Sequence, residues 1–134
     1  MKEYQVKSLK SFRLPEAVYR QALWAVKDLP RLKEKKKELE DMLGCIPAAY
    51  TGIPRGRSGC YSDQTARIAG EMAETALRLR KIEESLNVVP LQYREEILGK
   101  LAYDIPYSDR FHLNTWKRWQ QIYLYQVAVD LHLY

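Results

Sequence analysis

Apolar positions recur at helical spacing through most of the chain, and no stretch carries the period-two alternation of a strand pair. After Pro15, which suits the first turn of a helix, Ala17, Val18, Ala22, Leu23, Ala25 and Val26 trace a helical pattern with Trp24 beside it. Glu16 meets the positive end of that helix dipole. Pro30 interrupts, and Asp28 is available to cap a second helix, RLKEKKKELEDML, which stops at Gly44. The apolar positions of this second helix, Leu32, Leu39, Met42 and Leu43, are sparse. Residues 1–14 show no sustained period and predict an extended lead-in.

The pattern breaks between Gly44 and Tyr61, where GCIPAAYTGIPRGRSGCY holds four glycines and two prolines. That density predicts a long loop. Ser62 and Asp63 then predict the cap of the longest helix, running to about Leu86. Ile68, Met72, Leu79, Ile82 and Leu86 follow the three-and-four spacing of a packed seam, and Ala66, Ala69, Gly70, Ala73 and Ala76 would let another helix approach closely. Asn87 ends it, and Pro90 opens a shorter helix, LQYREEILGKLAY, closed by Asp104 and Pro106.

The last helix, from Asn114 to Leu131, has Asn114 and Thr115 as cap-type residues. Trp116, Trp119, Tyr123, Val127 and Leu131 fall in one apolar sector, widened by Ile122, Val129 and Leu133. One arc stays polar, with Asn114, Lys117, Arg118 and Gln121, then Tyr125 and His132 further along. A largely buried helix whose first turns offer amides and cations has the build of a recognition helix. A core helix with an ordinary solvated face has the same pattern, and the residues alone leave both open. The expected fold is all-α, one domain over residues 1–134 with about five helices. It comprises an N-terminal pair (1–43), the loop, and the long helix with a helix-turn-helix-like end (62–134).

Composition changes this picture in three places. Ten Tyr and three Trp against two Phe favour surfaces partly buried and partly wet, which would suit self-association as a dimer. The last helix points the same way, because beyond Ile122 it is apolar almost all round. The net charge of +5 is uneven: residues 1–60 carry +6, residues 61–89 carry −1, and residues 90–134 are neutral. The excess therefore sits away from the candidate recognition helix in sequence, which weakens an electrostatic case for nucleic acid. Lys35, Lys36 and Lys37, with Arg55 and Arg57 of IPRGRSG, are the candidate phosphate contacts, although such a lysine run is also what a solvated helix face looks like.

Chemistry beyond binding finds little footing. Cys45 and Cys60 lack metal-ligand spacing, and His112 and His132 are distant in sequence, so no metal or cofactor is expected. Asp63, Glu71 and Glu74 share a helix without a histidine near them. IPRGRSG lacks the Lys-Ser/Thr ending of a phosphate loop. No enzyme and no small-molecule substrate are expected. No signal peptide or long apolar run is visible, so a cytoplasmic protein with free thiols and no membrane association is expected.

The order of these segments resembles a known family. LPEAVYRQALWAVKDLPRLK, the Pro54–Gly56 loop, the Ser62–Thr65 helix start and the closing VPLQYREEI and TWKRWQQIYLYQVAVDL resemble small proteins of Firmicutes prophages and integrated elements related to RinA-type phage transcriptional regulators. The resemblance spans nearly the whole chain, and its most specific part is the C-terminal third. It implies a cytoplasmic regulator of transcription that binds double-stranded DNA through a sigma-factor-like helix-turn-helix. Base reading would then fall on Thr115, Lys117, Arg118 and Gln121. Only Asp104–Leu113 separates the two closing helices, where sigma-like modules have room for a scaffold helix. The motif is therefore compressed here, or the chain is a self-associating helical interaction module of phage origin that does not bind DNA.

Overall fold

The computed structural model of the protein describes residue 5, residues 9–44 and residues 59–134, with side chains from residue 64 in the last part. Among the described residues the chain is all-helical, with five α-helices and no strand. They are α1 (Glu16–Lys27), α2 (Leu29–Gly44), α3 (Gly59–Glu84), α4 (Leu91–Tyr103) and α5 (Leu113–Asp130). Single 3-10 turns occupy Lys10–Phe12 and Ser85–Val88. The Gly/Pro-rich loop expected at 44–61, with Arg55 and Arg57, lies outside the described residues apart from its two ends.

Local chemistry explains most boundaries. Pro15 holds extended angles before α1, and its carbonyl accepts the Tyr19 N–H at 2.9 Å. Pro30 falls in the first turn of α2, where its missing N–H would have had no intrahelical partner, so it marks the start of the helix without breaking it. The long helix begins at Gly59, earlier than its cap-type residues, and Ser62 and Asp63 lie inside it. A cap contributes only about 1 kcal/mol, which propagation through a neighbouring turn outweighs.

Two compact units make up the chain: Met1–Pro30 with Arg80–Tyr134, and Arg31–Leu79. In the first of these, α1 joins the C-terminal helices. In the first unit α1 packs against both α4 and α5, and α4 against α5. Tyr19, Ala22, Leu23, Ala25 and Val26 of α1 meet a core that includes Ile97, Leu101, Trp116, Tyr123, Leu124 and Val127, all buried. Each such aliphatic side chain contributes on the order of 1.5–3 kcal/mol by leaving water. The turn Ser85–Val88 also packs on α5, and the Ser85 hydroxyl lies 2.7 Å from both the Lys81 carbonyl and the Asp130 carboxylate.

In the second unit Leu32, Leu39, Ile68, Thr75 and Leu79 are buried, and the Thr75 hydroxyl is satisfied by the Glu71 carbonyl at 2.8 Å. The small-residue face of the long helix is turned the other way from the expectation. Ala66, Ala69, Gly70 and Ala73 are exposed, and a methyl group added at Gly70 meets nothing within 4 Å among the described residues. Burial follows the branched side chains instead, since they remove more apolar surface from water than alanine does.

A candidate nucleic-acid interface at the start of the last helix

The connection from α4 to α5 is held by aromatic rings. Asp104 adopts the left-handed region (φ 54°) and ends α4, while the Ile105 N–H donates to the Gly99 carbonyl at 3.1 Å. The chain then runs back over α5. Tyr107 stacks flat on Trp116, with centroids 4.9 Å apart and 3° between planes. Phe111 meets the same indole edge-on at 5.4 Å, and Tyr93 of α4 contacts Phe111, Trp116 and Trp119 at 4.8, 5.4 and 5.8 Å. Trp116 Nε1 donates to the Ser108 carbonyl at 3.3 Å. Offset and edge-on pairs of this kind add about 0.5–1.5 kcal/mol each beyond burial. They fix where α5 begins.

The start itself differs from expectation by one to two residues. His112 caps α5, its Nδ1 accepting the Asn114 N–H at 3.1 Å, so Asn114 and Thr115 are first-turn residues and not the cap. Their side chains are thereby left for other uses. Asn114, Lys117 and Arg118 are exposed, and Thr115 is half-buried.

Gln121 departs from the expected arc: only 1 % of it is accessible, and its amide donates to the Phe12 carbonyl at 3.2 Å. It is therefore unavailable to a base edge. The physical reason is the N-terminal segment, which lies along the second half of the arc. Phe12 packs edge-on against Tyr125 at 5.4 Å, and the Lys10–Phe12 turn contacts α5. The Gln5 side chain brackets Leu14, accepting its N–H at 2.7 Å and donating to its carbonyl at 2.8 Å. Gln120 is buried as well, and its side-chain oxygen accepts the Tyr107 hydroxyl at 2.6 Å. Burying an amide is tolerable only with such partners.

That segment carries Lys10 and Arg13, both exposed. Sequence reasoning missed them, since nothing local ties Phe12 to Gln121 across 109 residues. A faint signal existed in Gln120 and Gln121, two adjacent amides amid aromatic neighbours. The lysine run lies in the other unit, with Lys35 and Lys36 half-buried, Lys37 exposed, and Lys36 paired to Glu40 at 3.8 Å.

The helix's far side is rigidly anchored. The Tyr123 hydroxyl donates to the Ile82 carbonyl at 2.9 Å, and burial, aided by the nearby Glu83 charge, pushes its pKa well above the usual tyrosine value. Trp119, expected among the buried anchors, is only half-buried, because Tyr93 covers one face of it. Self-association was expected to cover the apolar surface beyond Ile122. Tyr123, Leu124, Val127 and Ala128 are buried within the chain, Leu131 and Leu133 are half-buried, and Val129 and Tyr134 stay exposed.

Among the described residues no three His, Cys, Asp or Glu side chains cluster to hold a metal ion, and no helix is long and apolar enough to cross a membrane. Compared with family models, with curated proteins and with solved structures, the chain matches none.

Proposed function

We propose that the chain is a DNA-binding regulator, of the phage-related kind its closing segments resemble, which reads duplex DNA with the first turns of α5. What carries the reading is the exposed trio Asn114, Lys117 and Arg118 at the N-terminal end of a helix whose remaining length is locked into a three-helix core. Helix-turn-helix proteins use the same division, with base contacts from the N-terminal residues of the last helix and a scaffold formed by the other two. Arg118 suits guanine and Asn114 suits adenine in the major groove, and Lys117 suits either guanine or phosphate. Thr115, half-buried, suits a sugar-phosphate contact at the edge of that surface. The test is equilibrium binding of the full chain to selected and random duplexes at low and moderate salt. Tighter binding to selected sequence supports the reading, and indifference to duplex DNA at low salt removes it.

One observation favours a second reading, that of a helical interaction module. Trp24 is 65 % exposed, with Lys27 Nζ 5.4 Å from its ring and 3.9 Å from the Asp104 carboxylate, and the exposed Tyr103 and Ile105 flank Asp104. An apolar patch with a charged rim is what a protein contact uses. Trp24→Ser abolishing self-association in sedimentation, with no DNA binding by the parent chain, would support this reading over the first.

A further inference from the structure

The uneven charge distribution has a consequence once the fold is known. Positive charge concentrated early in the sequence counted against the last helix as a nucleic-acid surface, because phosphate neutralisation supplies much of the affinity of such proteins. The fold brings part of that charge back. Gln121 and Tyr125 hold the Lys10–Arg13 segment against α5 through the Phe12 carbonyl and ring. Lys117 and Arg118 stand four and three residues before Gln121 on the same helical face, about one turn away. Tyr125 stands seven residues after Arg118, on the same side again. Lys10, Arg13, Lys117 and Arg118 are all exposed, and none is in an ion pair among the described residues. Arg20, Lys27, Lys36 and Arg80 each face a carboxylate within 4.0 Å, whereas Lys37, Arg67 and Arg78 are likewise exposed and in no ion pair among the described residues, so it is the tie to α5 through Phe12 that sets Lys10 and Arg13 apart.

From this juxtaposition we infer that Lys10 and Arg13 are phosphate-backbone contacts, extending the surface begun by Lys117 and Arg118 along the axis of α5. The inference rests on the DNA-binding reading above and gives it the cationic component that the C-terminal third lacks by itself. It also assigns the affinity for duplex backbone to the N-terminal segment in place of Lys35, Lys36 and Lys37. The N-terminal segment is tied to α5 through Phe12, whereas Lys36 already faces Glu40.

Counterion release provides the test. Binding of the full chain to a random-sequence duplex is followed by fluorescence anisotropy at salt concentrations between about 50 and 200 mM, the range over which phosphate contacts dominate the change in affinity. The parent is compared with a Lys10→Gln, Arg13→Gln variant and with a Lys35→Gln, Lys36→Gln, Lys37→Gln variant. These substitutions are conservative in length, and circular dichroism checks that both variants remain folded. Losing two phosphate contacts should lower the slope of log affinity against log salt by about two. That result for the Lys10, Arg13 variant supports the inference. An unchanged slope for this variant, with the parent still binding, overturns it while leaving the DNA-binding reading standing. A parent that binds no duplex at any salt overturns both.

Discussion

Tyr107 lies flat on Trp116, with 3° between the ring planes and 4.9 Å between centroids, and its hydroxyl reaches on to the buried Gln120. A non-helical connection is thus held against α5 by stacking. Trp116 is 1 % exposed, whereas Trp119 is only half-buried. The two tryptophans should therefore differ sharply. Trp116→Ala should cost about 3–5 kcal/mol of stability. Trp119→Ala should cost about 1–2 kcal/mol, for one stacked pair and partial burial. Urea denaturation of both variants checks this, and equal costs would contradict the burial difference.

How much of this was legible in the sequence depends on how local each signal is. Helical periodicity and the Pro15, Pro30 and Pro90 starts act within a few residues, and all five helices appear near their expected places. The facing of each helix is a tertiary matter. Ala66 and Ala73 suit close approach but are left exposed, and Gln121 suits solvent but is buried. For the long helix its branched side chains take the buried positions, and for Gln121 another segment decides. Gln121 is covered because Phe12 and Leu14 need cover themselves, and a buried amide costs little once its hydrogen bond is made. The candidate site was accordingly half legible: Asn114, Lys117 and Arg118 are exposed, while Lys10 and Arg13 became candidates only through the fold.

Stability should fall at alkaline pH through Tyr123. Its pKa in the folded chain is raised, by burial first and by the Glu83 charge second. The unfolded chain ionises this phenol at about 10. Below that pH the contribution is fully present, and above it the unfolded state gains by losing a proton that the folded state keeps. Tyr123→Phe should remove this alkaline sensitivity while costing about 0.5–1.5 kcal/mol near neutrality for the bond to the Ile82 carbonyl. Urea midpoints from pH 8 to 11 should decline more steeply in the parent than in the variant, and parallel declines would exclude Tyr123 as the source.

His132 ends α5 in a left-handed conformation. Its φ is 57°, its N–H donates to the Val129 carbonyl at 3.1 Å, and the Leu133 N–H donates to the Ala128 carbonyl at 2.8 Å. This is the Schellman arrangement, in which glycine is the favoured residue. A side chain with a Cβ pays about 1 kcal/mol to sit there. His132→Gly should accordingly raise stability by up to about 1 kcal/mol and raise the melting temperature, whereas His132→Val should lower it. A destabilised glycine variant would mean that the imidazole makes a contact outweighing the backbone strain.

The contrast between Arg118 and Gln121 puts the proposed function and the fold on separate readouts. Both residues lie on one helical face, three positions apart, and sequence pattern treats them alike. Arg118 is exposed, so Arg118→Ala should leave the unfolding midpoint nearly unchanged. On a selected duplex it should lose base contacts of about 1–3 kcal/mol and relax discrimination against random sequence. Gln121→Ala should behave in the opposite way. Its amide is buried against the Phe12 carbonyl, so the variant should lose about 1–3 kcal/mol of stability by leaving that carbonyl short of a donor. It should also loosen the segment bearing Lys10 and Arg13, visible as faster hydrogen exchange between residues 9 and 14. Its remaining DNA binding should keep its sequence preference and show a flatter salt dependence, because the loosened cations meet phosphate and not bases. If Gln121→Ala instead relaxed preference without loss of stability, Gln121 would be reading a base, and the segment covering it would have to move aside on binding.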